Sequence, residues 1–415
     1  MKFNSYRGKV GGKVYSNGEL RKMLEDEKNV DKRKEIYEAL NGGGELIAKD
    51  LVKLVKIRNK FAVKKGYPDY FTMVLKESYN VDKDKLFKLL DDLAVQTEKT
   101  SKKFYMQHYQ KLADAFNISV DKLRPWHYGL VMEDNPFKQA NKYIKNKDDL
   151  LPLTKKLYEK MGWDIDKMPI QYDIFPRENK NQHDICFRID CPNDIRILAN
   201  LREEDMNSIE VLNHEDGHAV YDNGISNHIP YLDRGPASSA ATEAVAMLME
   251  SLPYRENQFL QENLNMPKAL AEKLEKKRKE YLVHFVRAYL LLINFEKEMY
   301  ENPNQDLDKL WFNLGKKYCN KNIPEKTTNE WANISHFLTH PGYLQNYLRA
   351  EIMAAQIYKS VTDKFGPMTQ NPQVANYFTT KMFKPGSILT EDEVLIRLTG
   401  SPLKPDAFSE QIKDI

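Results

Sequence analysis

His214-Glu215-Asp216-Gly217-His218 is the stretch on which both the fold and the chemistry of this 415-residue chain turn. On a helix, residues four apart share a face. Both imidazoles of this HExxH pattern can therefore bind one metal ion, and Glu215, one step round, can take a proton from a water held there. The chain has nine histidines, and such a composition yields the pattern by chance in on the order of one chain in a hundred. The bland alternative is a surface helix that merely carries these residues. The flanks argue against it: Ile209, Val211 and Leu212 before the motif and Ala219 and Val220 after it recur at helical spacing and pin the helix to a core. Buried imidazoles and carboxylates need partners, since an unpaired polar group inside a protein costs several kcal/mol. A zinc ion, one per chain, meets that need. Gly217 costs a helix about 1 kcal/mol relative to alanine. Either a backbone or the metal site needs the room, or the helix simply tolerates it.

A catalytic zinc takes three protein ligands and leaves one position open. A histidine supplied by the next two turns is excluded, because Tyr221 and Gly224 stand where that arrangement wants glycine and histidine. A glutamate after the shorter, thermolysin-like interval is excluded too, since Ser238 occupies that place. Residues 242–250, TEAVAMLME, are strongly helical, and Glu243 follows His218 after 24 residues. The intervening segment, with Gly224, Pro230, Gly235 and Pro236, can turn the chain so that a second helix faces the first. Glu243 is the expected third ligand, beside His214 and His218. Glu250 lies two turns further along the same face. A solvated or core-edge glutamate is its expected role, with orientation of a zinc ligand as the alternative.

HExxH followed by a glutamate at this interval resembles the M3 oligopeptidases (thimet oligopeptidase and its relatives), and the M2 peptidases (angiotensin-converting enzyme and bacterial relatives) have nearly the same spacing. Arg58-Asn59-Lys60-Phe61-Ala62 through Gly66-Tyr67-Pro68-Asp69-Tyr70 is similar to a helix and turn of both families. Arg124-Pro125-Trp126-His127-Tyr128 and the segment from Asp184 to Cys191, containing Phe187-Arg188-Ile189, look like M2 proteins. The resemblance runs from about residue 35 to 360. It extends to residues 334–351, ISHFLTHPGYLQNYLRAE, which resemble a family segment whose histidine and tyrosine hydrogen-bond the tetrahedral intermediate. Donors aimed at the oxyanion usually supply the largest catalytic contribution. The resemblance implies Tyr347 as the phenol donor and His336 as the imidazole donor, with His340 and Tyr343 as substrate contacts.

There are departures. Asp216 replaces the apolar residue usual inside the motif and is expected to pair with a nearby cation. Met247 stands where M2 enzymes carry an aspartate behind the ligands. Ile334 replaces a lysine that some M2 dipeptidases use to hold a terminal carboxylate, which weakens a dipeptidyl carboxypeptidase reading, and Asn346 stands near a chloride-associated arginine, so chloride activation is not implied. Relative to both families the chain is short at its front by roughly a hundred residues of lid helices, through loss of the lid or because the chain is a fragment.

Composition constrains the partners. A net charge of +3, from 63 basic and 60 acidic residues, gives no reason to invoke nucleic acid or membrane. The basic run from Lys273 to Lys279 reads as a solvated helix face. Three cysteines make no disulfide framework and favour a reducing compartment. No apolar leader or membrane span is visible, so a cytoplasmic chain is expected unless a leader has been removed.

Helices dominate. One is expected from Asp82 through Leu86, Leu93, Phe104 and Leu112 to Asn117, and another from about Ala269 to the break at Asn302-Pro303. Within the latter, His284 is expected in the core. Strands are expected only between about Ile170 and Leu201, where Ile185, Phe187 and Ile189 alternate, as do Ile195, Ile197 and Ala199. The expected fold is mainly α: a single catalytic domain over residues 1–415, with two helical lobes around a cleft and a small β-sheet beside the zinc helix. Its expected function is zinc-dependent hydrolysis of short peptides by a monomer, of oligopeptidase or peptidyl-dipeptidase type. The alternative is a catalytically impaired peptide-binding relative of the same fold.

Overall fold

Side chains at helix starts fix much of the architecture. Asp82 Oδ1 accepts from the Lys85 amide (2.9 Å) and Ser238 Oγ from the Ala241 amide (2.9 Å), each satisfying a donor that the first helical turn leaves open. The computed structural model describes residues 6–131, 134–178, 180–181, 183–322 and 329–415. In chain order these form strands β1 (Gly8–Val10) and β2 (Lys13–Tyr15), then helices α1 (Asn17–Asp26), α2 (Val30–Lys64), α3 (Tyr70–Tyr79), α4 (Lys83–Gln96), α5 (Glu98–Ala115), α6 (Pro136–Ala140) and α7 (Leu150–Lys160). Strands β3 (Ile170–Asp173), β4 (Ile185–Asp190) and β5 (Asp194–Leu198) follow, then α8 (Met206–Gly224), α9 (Ser239–Arg255), α10 (Gln258–Leu264), α11 (Lys268–Glu301) and α12 (Leu307–Cys319). The chain ends with α13 (Ser335–Thr339), α14 (Leu344–Phe365), α15 (Gln373–Phe378), α16 (Glu391–Thr399) and α17 (Asp406–Ile412). The expected predominance of helix holds. Among the described residues, no helix is long and apolar enough to cross a membrane.

The chain divides into two units: residues 1–133 with 282–345, and residues 134–281 with 346–415. In the first unit, β1 and β2 pair antiparallel through Gly11-Gly12, both at positive φ. This hairpin lies outside the 170–201 region where strands were expected, although Gly-Gly between two Lys-Val pairs is a hairpin signal. The long helix expected from Asp82 to Asn117 is two helices. At their junction the Thr97 hydroxyl donates to the Leu93 carbonyl (2.7 Å), a back-bond that competes with the helical ladder.

The arginine of the Arg58-Asn59 pair donates to the carbonyls of Phe337 (3.0 Å) and Leu338 (2.8 Å), and Asn59 donates to Tyr300 O (2.7 Å) while accepting from the Tyr70 amide (3.0 Å). The segment after α13 is held by Glu296, which accepts from the Gly342 amide (2.9 Å). Gly342 sits at φ +72°, where L-residues are strained. His284 does not lie in the core as expected: its Nδ1 meets the Tyr105 hydroxyl (3.3 Å), but its ring stays exposed.

In the second unit the three-stranded sheet runs β3-β5-β4, with β3 parallel and β4 antiparallel to β5. Ile195 and Ile197 of the central strand are buried, whereas Phe187 and Ile189 of edge strand β4 are 40% and 52% exposed. The alternation expected in β4 is present, but its apolar side faces outward. Helix α8 packs on this sheet and, most extensively, on α9. At Gly217 the two helices approach closely: a Cβ there would stand 2.7 Å from Ala246 Cα and 3.2 Å from its amide nitrogen. A backbone, then, needs the room. The basic run 273–279 is not uniformly solvated, since Arg278 within it is buried.

Two measurements follow from these contacts. Gly217→Ala should lower stability by about 1–3 kcal/mol in a denaturant titration, because overpacking against the Ala246 backbone outweighs the gain in helix propensity; a variant as stable as wild type would contradict the close approach. Burial pushes the Glu296 carboxyl up to about 8, against the opposing pull of the Gly342 amide and Arg58. Neutral Glu296 therefore supports the fold fully below its unfolded value near 4.5, and that support disappears as pH rises through about 8. Stability should fall by up to about 5 kcal/mol over that window, and Glu296→Gln should flatten the fall; an equal slope in the variant would rule this carboxyl out as its source.

Candidate active site

Helix α8 presents His214 and His218 one turn apart, their rings 4.9 Å apart and nearly perpendicular. Helix α9, packed against that face, presents Glu243. Glu243 Oε2 stands 3.6 Å from His214 Nε2 and 3.8 Å from His218 Nε2. Bond lengths of about 2.0–2.2 Å place the ligand atoms of a tetrahedral zinc about 3.3–3.5 Å apart. The three donors fit such an ion with a small contraction. Their chemistry, two imidazoles and one carboxylate, is that of a catalytic rather than a closed structural zinc site. Among the described residues, this trio is the group of three or more His, Cys, Asp or Glu close enough to hold a metal.

Both imidazoles are held by their other nitrogen. His218 Nδ1 meets Thr242 Oγ1 (2.7 Å), and His214 Nδ1 meets Glu250 Oε2 (3.1 Å). Such partners fix the ring orientation and leave Nε2 for a metal. Glu250 is thus not the solvated or core-edge residue expected; it does what Met247 cannot do for the ligands. Burial disfavours the charged form of His214, but hydrogen bonds with Glu243 and Glu250 outweigh it and raise its pKa well above the usual value. His218, buried beside His214, is pushed down to about 4. Two carboxylates around His214 create a demand for positive charge that a divalent cation would meet.

Asp216 is buried on the far side of α8, and its Oδ1 accepts from the Tyr172 hydroxyl of β3 (2.7 Å). The cation partner expected for it is replaced by a phenol, and burial raises its pKa to about 7. The replacement of an apolar residue by Asp216 is therefore absorbed by the sheet behind the helix and leaves the donor trio intact.

Glu215 faces the ligand cluster from the same helix. Burial raises its pKa to about 7, opposed by His214 and by the Cys186 main-chain amide of β4 and reinforced by Asp184 and Glu243. A carboxyl poised there can accept and release a proton near neutrality. Tyr347 of α14 is half-buried, and its hydroxyl is raised to about 12 by burial and by the negative charges of Glu243 and Glu215. The phenol therefore stays protonated, as a hydrogen-bond donor, beside the carboxylates of the site. His336, His340 and Tyr343 belong to the first unit and gather with one another: the rings of His336 and Tyr343 stack at 6.2 Å, and His340 stands 6.2 Å from each. Sequence reasoning missed Thr242, although its place directly before Glu243, on the helix that faces the imidazoles, was a signal.

A family model of Peptidase family M3 matches residues 168–414, well over half of the chain and further toward its end than the expected limit near 360. The fold is similar to that of Pz peptidase A in complex with an inhibitor, with a TM-score of 0.70 and 20% identity, over 100% of this chain and 73% of that one. It is likewise similar to a structure titled oligoendopeptidase F from Bacillus anthracis (TM-score 0.65, 18% identity, 100% and 71% of the two chains). An M32 carboxypeptidase from Deinococcus radiodurans is similar at a TM-score of 0.63 and 14% identity, over 96% and 77%. No curated protein matches the sequence. With the family match spanning α8 and α9 and the fold shared along the whole length, the chain belongs to peptidase family M3, whose chemistry is the hydrolysis of peptide bonds.

Proposed function

We propose that the protein is a zinc-dependent peptidase acting on short peptides, with all 415 residues serving as one catalytic domain. The observation that carries this reading is the convergence of His214 Nε2, His218 Nε2 and Glu243 Oε2 within 4.8 Å of one another, with Glu215 on the same helix. Zinc bound there would polarise the scissile carbonyl and make a water nucleophilic at neutral pH.

The chain's own residues do the rest. Glu215 takes a proton from the attacking water and passes it to the leaving amine, a role its elevated pKa suits. Tyr347 donates its phenolic hydrogen to the oxygen on which negative charge develops. His336 is assigned as a second donor, and His340 and Tyr343 as substrate contacts, on the strength of the family resemblance of residues 334–351. Among the described residues, strand β4 pairs with β5 on one side only. Its other edge can hold an extended peptide through main-chain hydrogen bonds, giving affinity with little side-chain selectivity. That matches a peptidase of broad sequence tolerance.

Added zinc should raise the melting temperature through about 2.7 kcal/mol of linkage at a hundred times its dissociation constant. Replacing Glu243 or His218 by Ala should remove that rise, and an undiminished rise would place the metal elsewhere. Glu215→Gln should keep one zinc per chain yet lower kcat on a quenched-fluorescent peptide by about 10²–10⁴-fold. Full turnover in that variant would refute the base assignment.

A further inference from the structure

Behind the imidazole face lies a largely buried group of charges that the proposed chemistry does not use. Glu210 of α8, Glu250 and Arg255 of α9, Arg278 of α11 and Glu351 of α14 all belong to the second unit. Arg278 is 8% exposed and Glu351 2%. Arg278 Nη1 stands 3.1 Å from Glu250 Oε1, and its Nη2 stands 3.8 Å from Glu351 Oε2. Glu351 in turn meets Arg255 Nη2 at 3.5 Å. The guanidinium of Arg278 also lies over the Tyr281 ring, 5.1 Å from its centre.

The two oxygens of Glu250 thus have different tasks. Oε2 holds His214 Nδ1 at 3.1 Å, and Oε1 is gripped by Arg278. A buried carboxylate with one oxygen anchored cannot rotate away from the imidazole, whereas a carboxylate left alone among Glu210 and Glu351 would be repelled from both. The planar fork of arginine can hold Glu250 and face Glu351 together, and an ammonium cannot.

We propose that Arg278 is a positioning residue for the metal centre: by fixing Glu250, it fixes the orientation and tautomer of His214 and so sets the affinity of the site for zinc. This rests on the reading of His214, His218 and Glu243 as zinc ligands. Arg278 touches neither metal nor substrate and acts only through Glu250.

The test measures zinc affinity of the full-length protein by competition with a chromogenic chelator, with circular dichroism to establish that each variant is folded. Arg278→Gln should weaken zinc binding about 10–100-fold, the usual cost of losing a partner behind a ligand. Glu250→Ala should weaken it comparably, and the double variant should be no worse than Glu250→Ala alone. Arg255→Gln, which removes one partner of Glu351 and none of Glu250, should stay within about threefold of wild type while lowering the melting temperature. Should Arg278→Gln not fold, Arg278→Lys takes its place and should show a three- to tenfold loss, on the order of 1 kcal/mol, that vanishes in the Glu250→Ala background. Wild-type affinity in the Arg278 variant, losses that add in the double variant, or an equal loss in Arg255→Gln would each overturn the assignment. A wild-type protein that binds no zinc would remove the ligand reading itself, a result distinct from all three.

Discussion

The close approach of α8 and α9 at Gly217 and Ala246 is the constraint on which the site depends. With a side chain at residue 217 the helices would have to part, because the nearest atoms are backbone, which cannot swing aside. The separation between His214, His218 and Glu243 follows from that contact. A few tenths of an ångström separate their spacing from that of a tetrahedral ion, so a shift of the helices by a fraction of a side chain would spoil it. Glycine within a helix costs stability locally, and here the cost secures geometry between helices.

A second feature reinforces the first. Helix α8 offers each of its faces a different partner: the imidazoles face Glu243, Asp216 faces Tyr172 of the sheet, and Gly217 faces the α9 backbone. A helix fixed on several sides has little freedom to roll. Thr242 and Glu250, both on α9, then hold the imidazoles by their outer nitrogens. The same helix that supplies the third donor thus also orients the other two. This economy explains why a short stretch of sequence carries so much of the chemistry.

Much of this was legible in the residues. The i, i+4 histidines and the glutamate after 24 residues identify the donor set, because helix periodicity converts spacing directly into a shared face. Glu250 was misjudged because two helical turns place a residue on a face without revealing whether that face is wet. Arg278 was hidden for a related reason: among the basic residues of the run 273–279 it alone turns inward, and its being the single arginine there is only a faint mark. The division of the helix at Thr97 escaped because apolar periodicity continues across it, while the break coincides with a hydroxyl back-bond. Phe187 and Ile189 alternate as a half-buried strand would, yet point outward on an edge; the sequence records the alternation but not which side is covered. His336, His340 and Tyr343 were found by family resemblance, because in the sequence alone each reads as an ordinary helix or turn residue.

The most direct measurement of the central claim is zinc K-edge X-ray absorption on the zinc-loaded protein. The expected spectrum has nitrogen and oxygen neighbours only, at about 2.0–2.2 Å, with the multiple-scattering signature of two imidazoles. A sulfur neighbour near 2.3 Å, or scattering from one imidazole or none, would contradict the assignment of His214, His218 and Glu243 as the ligands.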